Sequence, residues 1–250
     1  MNLFRRTLAI LALLTVGIVP ASAAGTRIVV YGATGAIGGL ITQEALQRGD
    51  SVIGVARDPS KLKIDNPNYK AVAGDVTNLE SFKSITAGAD AVIISVLDAA
   101  SNSAPENSVS ALAAKTAVAA YSGAAKSPHI IQIGAAPTMM YDTRAGIEAN
   151  VHMPPGNPMM GIILGHAVAL ETYRASHINW TVLTPPSDLQ GWTMGKPPMP
   201  NRTGKYRTST TELVKDAQGK SAINVADLAV AAVDEAEHPR FIGQRFTVGY

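Results

Sequence analysis

Cysteine is absent from the 250 residues, which excludes a disulfide framework, a thiol nucleophile and any cysteine-based metal site. The five histidines, His129, His152, His166, His177 and His238, show no HExxH-like spacing, and no metal is expected. Charge of one sign is also missing. The chain has 21 basic and 19 acidic residues, and without Arg5 and Arg6 of the N-terminal segment the two signs cancel. A neutral chain offers no basic surplus for nucleic acid. Beyond the first segment no apolar run is long enough to span a bilayer. No internal repeat or low-complexity tail is present, and the length suits one sizeable domain, with a small C-terminal substrate lobe.

What is present begins with Met1 to Ala23: Arg5 and Arg6, an apolar run from Leu8 to Val19, then Ala21-Ser22-Ala23. These are the n-region, h-region and small-residue cleavage site of a secretory signal peptide. The run is short for a membrane anchor. The expectation is a mature chain starting near Ala24, exported to the periplasm, with no stable membrane insertion after cleavage. Arg5-Arg6-Thr7-Leu8 also admits a twin-arginine reading, the route taken by folded proteins.

The stretch Arg27 to Arg57 carries the most information. An apolar, β-branched run (Ile28, Val29, Val30) leads into Gly32-Ala33-Thr34-Gly35-Ala36-Ile37-Gly38, then a helical pattern, then a second apolar run from Ser51 to Ala56. This is a strand–turn–helix–strand unit of dinucleotide-binding length. Glycines let the backbone turn tightly and approach a pyrophosphate, and a helix starting at Ala36 presents free N–H groups and a positive dipole end to it.

Further strands are expected at Tyr69 to Ala73, Ala91 to Val96, Ile130 to Ile133 and Trp180 to Thr184. Helices are expected at Leu79 to Ile85, Pro105 to Lys126, Met160 to Ser176 and from Asn224 onward. Strands that alternate with helices and are apolar on both faces predict an α/β Rossmann-type fold, a doubly wound parallel sheet. Gly134 to Pro158 and Ser187 to Lys220 read as long loops leaving the last two of these strands. Ligands bind beyond the carboxyl ends of such strands, so these loops are the expected substrate walls.

GATGAIG, VARDPSKL and GDVTN together resemble the atypical short-chain dehydrogenase/reductases of the NAD(P)H-binding, NmrA-like group. Asn179-Trp180-Thr181 with Pro185, the segment from Thr203 to Pro239 and the terminal RFTVGY look like its NADH-flavin reductase branch, related to biliverdin-IXβ reductase. The resemblance spans nearly all of the mature chain and implies a nicotinamide cofactor bound by Gly32, Thr34, Gly35, Ala36, Ile37 and Gly38. At the end of the second strand stands Arg57, where NAD-preferring domains usually carry an acid. A guanidinium there can grip a 2′-phosphate, with Lys61 adding charge, and the resemblance implies the same role, so NADPH is expected ahead of NADH. The local alternative pairs Arg57 with Asp58. The resemblance places Asp75 and Val76 at the adenine, though Asp75 could equally cap the following helix. Ser95, Val96 and Leu97 should pass under the ribose, and Gly134 with Ala135 should line the nicotinamide side.

The Tyr-x-x-x-Lys pair of typical short-chain dehydrogenases is missing. Tyr121 and Lys126 are five apart and precede the strand the motif should follow. Direct hydride transfer to a planar acceptor such as a flavin, quinone or tetrapyrrole needs no such dyad, the flavin being substrate rather than prosthetic group. Thr138, near the position of the family's serine, with Tyr141 and with His166 near the start of its helix, are the catalytic candidates. Glu171 reads as packed or solvated. Met139, Met140, Met153, Met159 and Met160 offer an adaptable apolar pocket, and Trp192 a stacking surface. The alternatives are a non-catalytic redox sensor and an epimerase-like enzyme that retains its nucleotide. A monomer or homodimer is expected.

Overall fold

A computed structural model describes residues 25–97, 104–154 and 157–250. The expected signal peptide lies outside them, as do Pro155 and Gly156 of the first substrate loop. The elements in chain order are β1 (Arg27–Tyr31), α1 (Ala36–Arg48), β2 (Ser51–Ala56), a 3-10 turn (Pro59–Lys61), β3 (Tyr69–Ala73), α2 (Leu79–Thr86) and β4 (Ala91–Ile94). A second 3-10 turn (Pro105–Asn107) precedes α3 (Val109–Tyr121), β5 (His129–Ile133), α4 (Ala136–Tyr141), α5 (Arg144–Asn150) and α6 (Pro158–Arg174). The chain closes with β6 (Trp180–Thr184), β7 (Asp188–Gln190), β8 (Arg207–Ser209), β9 (Ala222–Asn224), α7 (Val225–Glu237) and β10 (Gln244–Gly249).

Eight strands form one sheet in the order β3-β2-β1-β4-β5-β6-β10-β8, parallel except for the β10–β8 pair, and β7 with β9 forms a small second sheet. Alternation along β1 sends Ile28 and Val30 to the face covered by α1 and α7, and Val29 and Tyr31 to the face covered by α2, α3 and α6. Burial on both faces explains why the central strands are apolar runs. Strand order reverses between β1 and β4, which opens a crevice above their carboxyl ends. The Rossmann-type single domain expected from the sequence is the fold observed.

Three local expectations are corrected. The helix expected from Pro105 to Lys126 is a 3-10 turn and then α3, because Ser108 caps α3 by accepting from Ala111 N at 3.2 Å; the chain leaves the helix before Gly123, whose φ is +75°. The expected strand to Val96 ends at Ile94. Gly134 to Pro158, read as loop, holds α4 and α5: Pro137 stands in the first turn of α4, where its missing N–H costs nothing, and Thr143 caps α5 through Gly146 N at 3.1 Å. Within Ser187 to Lys220 only the short strands β7 and β8 form.

Candidate nucleotide and acceptor site

The glycine turn joins β1 to α1, and its three glycines do different work. Gly32 has φ +80°, and a Cβ on it would lie 2.1 Å from the Ser95 carbonyl oxygen. A Cβ on Gly38 would lie 2.2 Å from the Gly32 oxygen. Both are excluded by the protein's own backbone. At Gly35 the only neighbour of such a Cβ is the Gly32 oxygen at 3.2 Å, so the space beyond belongs to solvent or a ligand. Gly35 N donates to Gly32 O at 2.8 Å and closes the turn. Gly35 is also the N-cap of α1, with no side-chain cap and no acidic residue in the first turn. The leading amides of α1 therefore face outward unpartnered by side chains, beside exposed Thr34 and half-buried Ala36 and Ile37. This cradle fits a pyrophosphate.

The residues after β4 form the neighbouring wall. Ser95 N donates to Tyr31 O at 3.0 Å, and the Val96 Cγ1 atom would touch a Cβ on Gly32 at 3.5 Å. Leu97 is 42% exposed, an apolar side chain left open at this crevice. Beyond β5, Gly134 N donates to Leu183 O at 2.8 Å, and a Cβ there would lie 2.9 Å from Val182 Cγ1 and 3.1 Å from Thr184 Oγ1. Half-buried Ala135 follows and leads into α4.

At the outer end of the crevice Arg57 is exposed and has no ion pair or hydrogen bond among the described residues. The expected alternative pairing with Asp58 does not form. Asp58 instead accepts from Ser60 N at 3.1 Å and Ser60 Oγ at 2.6 Å, bonds that hold its carboxyl below the usual range and order the turn carrying exposed Lys61. Gly74 N donates to Ala56 O at 3.0 Å and brings the Asp75 turn alongside Arg57. Asp75 accepts from Thr77 N and Oγ1, each at 2.8 Å, and does not cap α2; Asn78 does, through Ser81 N at 2.9 Å. Val76 beside it is buried.

The catalytic candidates are not brought together. Thr138 is 1% exposed and its hydroxyl donates to Ala135 O at 2.7 Å, a bond internal to the start of α4. Tyr141 packs half-buried on Ile147, Ile163, Leu164 and Ala167. His166 lies in the middle of α6, not near its start, because Asn157 and Pro158 begin that helix earlier than expected. Burial lowers its pKa to about 4, and its Nδ1 has no partner among the described residues. Tyr121, the false dyad member, shares a 2.6 Å hydrogen bond with Thr86 at the far end of the helical layer.

Of the methionines, Met153, Met159 and Met160 join the Tyr141 cluster, whereas Met139 is buried apart from it and Met140 is 51% exposed. Glu171 pairs with Arg144 at 3.3 Å on the surface, and Trp192 sits half-buried after β7. Sequence reasoning missed Arg245, whose guanidinium donates to the Thr138 carbonyl and to Asp142. Its signal was available: Phe246 and Val248 face one layer, so Arg245 must enter the other.

The model of the NAD(P)H-binding family matches residues 32–239. The uncharacterized protein YwnB of Bacillus subtilis is 27% identical over 226 residues, 89% of this chain and 97% of its own length. A solved structure from Burkholderia pseudomallei, of a protein provisionally assigned as exported, is 28% identical, covers 90% of this chain and all of its own, and superposes with a TM-score of 0.70. A Streptococcus pneumoniae protein provisionally assigned as an NADH-flavin reductase shares the fold at 22% identity and a TM-score of 0.71, over 90% of this chain and 99% of its own.

Proposed function

The chain belongs to the NAD(P)H-binding family, and on that premise we propose that it is an NADPH-dependent reductase of a flavin or similar planar acceptor. One observation carries the reading. An intact nucleotide cradle stands beside an acceptor side with no free, positioned acid among the described residues: the Thr138 hydroxyl is spent within α4, and His166 is buried and neutral. Reduction of a ketone or oxidation of an alcohol at neutral pH calls for such a group. Hydride transfer to an isoalloxazine does not, since solvent can supply the proton. The nicotinamide supplies the hydride when bound.

The residues of the chain then bind and orient. Gly35 and the first amides of α1 hold the pyrophosphate, Ser95 to Leu97 support the ribose, and Gly134 with Ala135 gives the nicotinamide ring a flat approach. Arg57, uncommitted to any carboxylate, takes the 2′-phosphate with Lys61 nearby. Leu97 and Trp192 offer apolar surface to a planar acceptor. Export of this enzyme is part of the proposal; the N-terminal segment has the pattern of a signal peptide, and the Burkholderia relative is consistent with it.

The test uses the mature chain from Ala24 onward. NADPH affinity is measured by calorimetry, and NADPH oxidation is then followed at 340 nm with FMN, riboflavin or a quinone. We expect acceptor-dependent turnover. A folded protein that binds NADPH tightly and turns over none of these acceptors would refute the reductase reading and favour a nucleotide-binding sensor.

A further inference from the structure

A second site lies at the opposite end of the sheet from the glycine turn. Trp180 and Gln244 open β6 and β10, and they line a cavity of about 260 Å³ together with Arg174, Thr210, Gly243 and Arg245. Two of these six residues are arginines. Arg174 Nη2 and Arg245 Nη2 converge on the same oxygen, Oδ1 of Asp142, at 2.8 and 3.1 Å. The two cations therefore share one carboxylate, which leaves the cluster with a surplus of positive charge.

The arginines differ in environment. The Arg245 side chain is 8% exposed, and its Nε–H has no partner among the described residues. A buried, unpaired guanidinium N–H is costly, and such groups are normally satisfied. Arg174 is 42% exposed and lines the cavity. Asp142, 57% exposed, is the only residue other than glycine with positive φ among the described residues, at 58°. A left-handed backbone outside glycine is disfavoured, so the resident carboxylate is held in place against local strain.

We propose that this cavity binds a small oxyanion of the phosphate class, which competes with Asp142 for the guanidinium groups of Arg174 and Arg245. The Asp142 carboxylate, beside the cavity rather than in its lining, shows that both guanidinium groups can reach one oxyanion. An incoming anion would take the place of the Asp142 carboxylate on the two guanidinium groups. The volume admits a small anion. The site is independent of the nucleotide cradle, although Arg245 also holds the Thr138 carbonyl of α4 and so links it to the segment that follows β5.

Inorganic phosphate is the probe, titrated calorimetrically into the mature protein at constant ionic strength made up with chloride. We expect one saturable site, at least tenfold weaker in Arg174→Gln and several-fold tighter in Asp142→Asn, where the competing charge is gone. Both substitutions fall on exposed side chains, and circular dichroism verifies folding. Absence of saturable binding overturns the proposal, as does an Asp142→Asn variant with unchanged affinity. Phosphate held at the pyrophosphate cradle would be lost in Gly35→Val and kept in Arg174→Gln, and that pattern also overturns it.

Discussion

Three glycines in seven residues look equivalent in the sequence, yet the space around each separates them. Gly32 and Gly38 are required by contacts of 2.1 and 2.2 Å to backbone oxygens, so Gly32→Ala and Gly38→Ala should lower the thermal midpoint whether or not nucleotide is present. Gly35 has φ −80° and no such contact, so Gly35→Val should fold and yet lose NADPH affinity by more than tenfold, read by calorimetry. Affinity unchanged in a folded Gly35→Val protein would remove the pyrophosphate from this turn. Arg57 supports a sharper prediction because it has no competing partner among the described residues. Charge-assisted hydrogen bonds are worth roughly 1.5–3 kcal/mol, so Arg57→Ala should weaken NADPH by about 10- to 100-fold and NADH far less. Equal losses for both nucleotides would refute the 2′-phosphate role.

At the scale of elements, the strap of residues 199–206 is fastened to α7 and α1 by buried polar side chains, Asp227 foremost. Asp227 in the first turn of α7 is fully buried and accepts from Thr203 N (2.9 Å), Gly204 N (2.8 Å), Thr203 Oγ1 (2.7 Å) and the Tyr250 hydroxyl (2.6 Å). Arg202 in the same strap grips Glu44 of α1 with two 2.7 Å bonds. Asp227→Ala removes the shared acceptor of four hydrogen bonds and should cost about 2–3 kcal/mol in urea unfolding. Amide exchange should quicken at residues 199–206 well before the central strands. Protection retained in that strap would mean that the Arg202–Glu44, Asn201–Asn224 and Tyr206–Asp234 bonds suffice to hold it.

Which elements were legible follows from the same physics. β2 and β6 begin and end where the apolar runs do, because burial on both faces leaves no other reading. The α4–α5 segment was not legible because proline suits a loop as well as a helix start, and Pro137 stands in the first turn of α4 as Pro158 does in α6. Asp75 and Asn78 are both suitable caps three residues apart, and only geometry assigns the role to Asn78. The turn from β1 to α1 was readable because the glycine triad stands between an apolar run and a helical pattern. The Arg245–Asp142–Arg174 cluster joins three elements distant in sequence, and no local pattern announces it.

For the molecule as a whole, the response to acid follows from buried groups in separate places. His129 opens β5 and His166 lies inside α6; burial lowers both to about 4, below the unfolded value near 6.5. The unfolded chain therefore binds more protons between these two values, and stability falls as pH drops from about 6.5 toward 4. The loss amounts to roughly 3 kcal/mol per histidine once pH 4 is reached. Asp50 acts in the other direction. Its carboxyl is raised to about 6, first by burial and then by the nearby Glu237 charge, so the folded state binds its proton more tightly and gains stability as pH falls from 6 toward the usual aspartate range. One group of this kind offsets only part of what two histidines lose, and carboxylates held low by arginines, such as Glu44, add to the loss. The thermal midpoint should therefore decline below pH 6.5. His166→Leu, which removes one buried imidazole with no described partner to strand, should flatten that decline, and Asp50→Asn should steepen it below pH 6. A decline with the same slope in both variants would place the acid sensitivity in other groups.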